Sequence, residues 1–286
     1  MRTAQAQPWC CANCGFWQRW PSRPAFCPAC LDPRHALPLR AWEFRVAGEV
    51  ANGWRTLWRQ VQPGLWRFTT APQLGLGGVG YLIQRPEGNI AFEACAWYSE
   101  VALAWIAALG GVARAAASHP HTYGGLWQLQ ERFGCEVSVA RDDLTWTGAF
   151  RCTWPFDDTL DLGGGLALHA TGGHFDGHAV LHDEGHGVLF CGDAVRLERA
   201  PSDPREVVAL SVHKGLARAI PLTADELRRY HAVVAPLAFS QIWSPFEQAP
   251  DIGRDDVLAL LDRLLGGRPS TAPVALTALR DEEPVA

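Results

Sequence analysis

A chain of 286 residues has room for one large domain, or one domain plus a small module, at roughly 100–200 residues per domain. Hydrophobic residues at 48% against charged ones at 19% exclude a wholly disordered polypeptide, and no apolar run approaches the roughly 18–20 residues needed to cross a bilayer. The 30 acidic against 25 basic residues leave a net charge of −5, which argues against a general polyanion binder and makes nucleic acid an unexpected partner.

The nine cysteines are unevenly spread: Cys10, Cys11, Cys14, Cys27 and Cys30 crowd the N-terminal stretch, while Cys95, Cys135, Cys152 and Cys191 are scattered. This is no disulfide framework. No charged start with an apolar stretch precedes the cluster, so the expectation is a soluble protein of the reducing cytoplasm. In Cys11-Ala-Asn-Cys14 and Cys27-Pro-Ala-Cys30, each CxxC turn can aim two thiolates at one cation, and two such turns complete a tetrahedral four-sulfur shell. Cys10 can replace Cys11 at a CxxxC spacing, so the choice between them stays open. The segment resembles a zinc ribbon or a rubredoxin-like knuckle. A closed four-sulfur shell is structural as a rule; Zn2+ is the expected ion, and iron also fits. Residues 1–38 are too few to build a core, so metal binding is expected to supply most of their folding energy. Phe16, Trp17 and Trp20 are expected to dock the knuckle onto the main body.

Residues 39–265 carry mixed strand and helix patterns and are expected to form the main domain. Gly78–Gln84 and Asn89–Ala94 read as a hairpin around the turn Arg-Pro-Glu-Gly. Ser99 is placed to cap a helix containing Val101, Leu103, Trp105, Ile106 and Leu109, which Gly110-Gly111 would end. Val112–Ala117 reads as a covered strand, and Leu126, Leu129 and Phe133 recur at helical spacing before Gly134. Leu166–Ala170, His178–His182 and Val188–Cys191 read as strands joined by glycine-rich turns. Thr223-Ala-Asp-Glu226 is a capping-box pattern, Ala232–Ala235 reads as a late strand, and Val257, Leu261, Leu264 and Leu265 share a face of a last helix. Periodicity is lost after Gly266, so 266–286 is expected to be a flexible tail.

Three histidine-bearing stretches stand out: Ser118-His119-Pro120-His121-Thr122-Tyr123-Gly124, Gly172-Gly173-His174-Phe175-Asp176-Gly177-His178, and Leu189-Phe190-Cys191-Gly192-Asp193. In an extended segment His119 and His121, at i and i+2, project to one side and can meet one cation. With His174 and Asp193 at the ends of further strands, the pattern becomes a three-histidine-plus-carboxylate site. Glu93 ends an early strand, and His178 is a candidate for orienting a ligand through a hydrogen bond. His213 and Lys214 are candidates for a pocket wall, and His169, His182 and His186 read as structural or solvent-facing.

From Gly78 to Pro236 the order of these stretches resembles the metallo-β-lactamase-fold hydrolase superfamily, and with the cysteine pairs ahead of it, a branch bearing an N-terminal zinc knuckle. The resemblance implies an α/β fold of αββα sandwich type. It also implies His119, His121 and His174 as ligands of a first metal, Asp193 at the position that bridges two metals in binuclear members, and Glu93 where relatives place an acidic residue near the metal, there to orient a ligand. Tyr123 and Gly124 stand where the family carries Asp and His, and no histidine follows the Ala232–Ala235 segment. His231 precedes that segment and is not assigned. The implied activity is hydrolysis of a small molecule (ester, lactone, thioester or amide) by water activated on a single Zn2+, with Asp193 ligating or acting as base and Tyr123 donating to an oxyanion. Fe2+ with oxygen chemistry, and a non-catalytic binding protein on the same fold, are the alternative expectations.

Overall fold

The computed structural model describes residues 6–280. The chain forms two compact units, one ending at Asp157 and the other beginning at Asp158. Among the described residues no helix is long and apolar enough to cross a membrane.

In the first unit the CxxC segment opens a three-stranded antiparallel sheet, with Gln7–Cys11 between Trp17–Trp20 and Phe44–Val46. The turn at Gly15 makes the reversal possible: its φ of +85° is in the left-handed region, and its N–H donates to the Cys11 carbonyl at 2.8 Å. The knuckle has no core of its own. Cys11, Cys14, Cys27, Cys30, Phe16 and Phe44 belong to the same buried cluster as Phe68, Leu82, Leu103 and Leu126 of the larger sheet and its helices. Trp17 docks as expected, stacking on Trp97 at 5.8 Å and donating its indole N–H to the Ala96 carbonyl at 2.8 Å. Trp20 does not dock; it is 52% exposed at the end of its strand.

The larger sheet runs in the order Arg55–Gln62, Leu65–Ala71, Gly80–Ile83, Ile90–Phe92, Arg114–Ala116, Glu136–Ser138. Its first four strands pair antiparallel and its last three parallel. Helices Glu100–Ala108 and Leu126–Phe133 make the two crossovers that parallel pairing demands. Ser99 is the N-cap of the first, but its side chain makes no cap bond; Gly111 N–H closes the C-terminus onto the Ile106 carbonyl at 2.9 Å.

The second unit holds a six-stranded sheet in the order Thr159–Gly163, Leu166–Ala170, Ala179–Asp183, Val188–Phe190, Gln241–Trp243, Gln248–Ala249. Only the Val188–Phe190 and Gln241–Trp243 pair is parallel. Helices Ala224–Val234 and Arg254–Leu265 pack Leu227, Val234, Val257, Leu260 and Leu261 against Val180, Leu189 and Ile242. The capping box is formed, with Thr223 N–H donating to Glu226 Oε2 at 2.8 Å and Glu226 N–H to Thr223 Oγ1 at 3.3 Å. Two expectations are corrected. Residues 232–235 end a helix, because the capping box at Thr223 starts a helical run that carries through them, and the late strand is Gln241–Trp243. The stretch after Gly266 is not wholly a tail. Val274–Ala275 pairs with the long strand Asp203–Ser211, and the helix Leu276–Arg280 buries Leu276 and Leu279, whose spacing of three puts both on one helix face. Residues 281–286 lie outside the described residues.

Candidate metal centres

The first centre is the cysteine cluster. Cys11, Cys14, Cys27 and Cys30 place their sulfurs within 4.8 Å of one another, with Cys11 Sγ to Cys30 Sγ at 3.8 Å and Cys14 Sγ to Cys27 Sγ at 3.7 Å. A Zn–S bond of about 2.3 Å puts the sulfurs of a tetrahedral shell about 3.8 Å apart, so the donor set fits a four-coordinate ion. The structure selects Cys11 over Cys10. Cys10 is paired with Trp17 in the strand register, its thiol turns to the Cys11 carbonyl, and burial pushes its pKa well up. Within the cluster, hydrogen bonds with Cys11, Cys14 and Cys27 pull the Cys30 thiol down, and those with Cys11, Cys27 and Cys30 push Cys14 up. Four such thiols cannot all ionise together without a cation. Asn13 Nδ2 donates to Cys30 Sγ at 3.3 Å, holding that sulfur from outside.

His119 and His121 follow the strand Arg114–Ala116. His119 is extended, but His121 is not: Pro120 starts a 3₁₀ turn over Pro120–Thr122, closed by Thr122 Oγ1 donating to the His119 carbonyl at 2.8 Å. Proline's fixed φ favours the first turn of a helix over a continuing strand, which is why the expected i, i+2 extended geometry gives way. The two imidazoles still converge, their ring centroids 5.5 Å apart at 85°, each with a ring nitrogen within 4.8 Å of the other.

Behind His119 lies a buried relay. Its Nδ1 is 2.7 Å from Ser118 Oγ, and Ser118 Oγ is 2.6 Å from Glu93 Oε1, while Ser118 N–H donates to Glu93 Oε2 at 3.1 Å. With Nδ1 engaged, Nε2 is the atom His119 can offer a cation, the arrangement that fixes tautomer and ring orientation in metal sites. Glu93 sits just past Ile90–Phe92 at φ +57°, a left-handed conformation that turns its carboxyl under the histidine strand. Burial pushes its pKa up to about 7, against the opposing pull of His119, Ser118 and Thr122. Tyr123 is buried with its ring edge-on to Phe150 at 5.2 Å; burial, then Asp143, pushes its hydroxyl pKa well up. Gly124 comes so close to the Ala94 and Cys95 carbonyls that a Cβ there would meet them at 2.4 and 2.5 Å, so the backbone leaves no space for a side chain.

In the second unit His174 and Asp193 form their own pair, His174 Nε2 lying 3.7 Å from Asp193 Oδ2. His174 stands in the turn between Leu166–Ala170 and Ala179–Asp183, which Gly172 and Gly173 shape at φ +63° and +89°. His178, fully buried, has Nδ1 2.8 Å from Thr171 Oγ1, and its ring lies 6.1 Å from that of His174. Asp193 follows Val188–Phe190 after Gly192 at φ +54°. Both line a cavity of about 260 Å³ whose walls include Leu197, His213, Leu216 and Phe246. His213, 7% exposed, bonds Ser211 Oγ through Nε2 at 2.9 Å, and burial lowers its pKa. Lys214 pairs instead with Glu226. Ser244, directly after Gln241–Trp243, occupies the end of the late strand and accepts hydrogen bonds from the Phe246 and Glu247 N–H groups. Of the walls, Leu197, Ser244 and Phe246 had no sequence signal, since each lies in a strand or turn that periodicity did not reveal. His231 pairs with Asp262 between two helices, His186 with Asp183, His182 with the Ala238 carbonyl and His169 with Thr159, all structural contacts.

A four-cysteine knuckle, an imidazole pair at a parallel strand end and an imidazole–carboxylate pair at strand ends of another sheet are the donor sets of a metal-binding α/β protein. The family model of the metallo-beta-lactamase superfamily matches residues 99–272, more than half of the chain, and the chain belongs to that superfamily. It is 27% identical to YmaE, an uncharacterized protein of Bacillus subtilis strain 168, over 86% of this chain and 91% of the other. Among solved structures it resembles the DIM-1 metallo-beta-lactamase (11% identity, TM-score 0.55, 73% of this chain and 98% of that one). It also resembles FIM-1 from Pseudomonas aeruginosa in its mono-zinc form (14% identity, TM-score 0.51, 74% and 95%). At these identities the likeness is one of fold, and the α/β fold class read from the sequence holds.

Proposed function

We propose that the protein is a metal-dependent hydrolase of a small-molecule ester, lactone, thioester or amide, in which His119, His121, His174 and Asp193 hold one Zn2+. The observation that carries this reading is the Glu93–Ser118–His119 relay, a buried carboxylate and hydroxyl spent on orienting one imidazole. A cation bound there lowers the pKa of a water toward neutrality and polarises the substrate oxygen. The chain's own groups do the rest. Asp193, beside His174, holds and orients the attacking water as base, and the 260 Å³ cavity gives Leu197, Leu216 and Phe246 an apolar part of the substrate to cover. The Tyr123 hydroxyl is proposed to donate to the oxyanion. Three features favour a single ion: Tyr123 in place of a ligand, Gly124 with no room for one, and Ser244 directly after the late strand, where the family resemblance calls for a histidine. A mono-zinc form is also on record for FIM-1. Fe2+ is the competing ion. The cytoplasm is the proposed location, and a nucleic acid or membrane partner is not expected.

Metal analysis of protein purified without added metal tests the reading. Two equivalents are expected, one lost on combining His119→Ala with His121→Ala and the other on Cys11→Ser, while Cys10→Ser keeps both. Unchanged metal content in the double-histidine variant would overturn the site. A metal-replete protein inert toward all four substrate classes would favour the non-catalytic binding protein instead.

A further inference from the structure

The connector after the knuckle carries a histidine that no motif singles out. His35 packs its ring against His121, centroids 4.3 Å apart and inclined at 48°, and is 9% exposed. This is closer than the 5.5 Å that separates His119 from His121. The turn that carries His35 begins at Asp32, two residues after the cluster's Cys30. His35 therefore meets a candidate donor of one centre with its ring and is tied to the other through its backbone turn.

The connector is built to hold it there. Asp32 accepts from the Arg34 N–H at 2.9 Å and from Nε and Nη2 of the same guanidinium at 2.7 Å each, in a pair whose side chains are only 8% and 11% exposed. His35 N–H donates to the Asp32 carbonyl at 3.0 Å, closing the turn. Asn13, from the first CxxC, donates from one amide nitrogen to Cys30 Sγ and to the Ala36 carbonyl, each at 3.3 Å, tying the turn to the cluster. His35 Nε2 is buried with no hydrogen-bond partner among the described residues. A buried ring nitrogen left so costs roughly 1–3 kcal/mol, so a small apolar residue would suit the connector better if filling space were all that was needed.

We propose that His35 is a positioning residue through which the four-cysteine centre orients His121, so that the knuckle is a metal-dependent strut and the two centres bind their ions cooperatively. The inference rests on the reading that His119 and His121 bind a cation. An ion that gathers the four sulfurs fixes Cys30, Cys30 through Asn13 fixes the turn that carries His35, and His35 limits the rotation of the His121 ring. Because coupling between two binding sites is reciprocal, an ion at the histidines must tighten the cysteine centre by the same factor.

The test uses the full-length protein with zinc left in the knuckle and cobalt titrated into the histidine centre, following the d–d absorption. For His35→Ala we expect one zinc retained, cobalt bound at least tenfold more weakly and an altered d–d spectrum. His35→Asn keeps a polar side chain in the turn but gives His121 no aromatic ring to lean on, and is expected to behave alike. Wild-type affinity and spectrum in either variant, with the signal abolished in His119→Ala/His121→Ala, would overturn the strut alone. Loss of the knuckle zinc in both variants would overturn it too, by making His35 a part of the cysteine site only. A double-histidine variant that still binds cobalt would instead remove the reading on which the strut rests.

Discussion

Ser118→Ala removes a single oxygen that serves two buried partners, Glu93 Oε1 at 2.6 Å and His119 Nδ1 at 2.7 Å. A hydrogen bond to a charged group contributes about 1.5–3 kcal/mol, and a buried polar atom orphaned by the change costs about 1–3 kcal/mol. Glu93 keeps the Ser118 N–H at 3.1 Å, because the backbone donor survives the substitution. The net loss of stability should therefore fall at about 2–4 kcal/mol, a sizeable part of the roughly 5–15 kcal/mol typical of a folded protein. Freed from Ser118, the His119 ring can change tautomer and rotate, and the loss of such a supporting contact typically weakens metal binding about 10–100-fold. Urea unfolding of the metal-free protein measures the first quantity and competition with a chelator the second. Metal affinity within a factor of about two of wild type would refute the orienting role even if stability fell, and unchanged stability would refute the burial argument itself.

The raised pKa of Glu93 gives the metal-free protein a pH signature. Between about 4.5 and about 7 the folded state holds a proton that the unfolded state has released, so this group's contribution to stability declines as pH rises, by up to about 3 kcal/mol. Glu93→Gln should flatten that slope in unfolding curves recorded across the window; an identical slope would show that Glu93 is ionised throughout. Truncation after Gly266 removes Leu276 and Leu279, buried to 8% and 4% exposure, and the strand pairing of Val274 with Leu210. At about 1.5–3 kcal/mol per buried leucine the urea midpoint should fall clearly, whereas an unmoved midpoint would return the segment to the status of a tail.

What could be read from the sequence follows from where each constraint is written. The four cysteines, His174 and Asp193 lie in turns whose glycines, prolines and spacing are local, so a short window of residues contains both the candidate donor and the reason for its position. The helix from Glu100 to Ala108 and the capping box at Thr223 were legible for the same reason. The three-residue strand Gln241–Trp243 was not, because so short an apolar run carries no periodicity and its identity comes from the parallel partner Val188–Phe190, some fifty positions earlier. The strand Val274–Ala275 is shorter still, and its pairing depends on a hairpin whose register is broken by irregularities between Glu198 and Ala200.

The same distinction separates the candidate donors from the groups that would aim them. Glu93 reaches Ser118 across two neighbouring parallel strands, and it could be suspected only through the family resemblance, which places an acidic residue at the end of that early strand. His35 offered no such cue: it sits in a proline-bracketed connector and meets His121 only once the knuckle has docked. Docking in turn depends on the close approach of the knuckle to Gly75, where a Cβ would strike the Gly15 backbone at 2.2 Å. A glycine in one loop thus permits a cysteine turn to settle, and the settled turn delivers a histidine to the imidazole pair. Each of these steps is a contact between distant segments, so the donor atoms are legible in the chain while their orientation is a property of the folded unit.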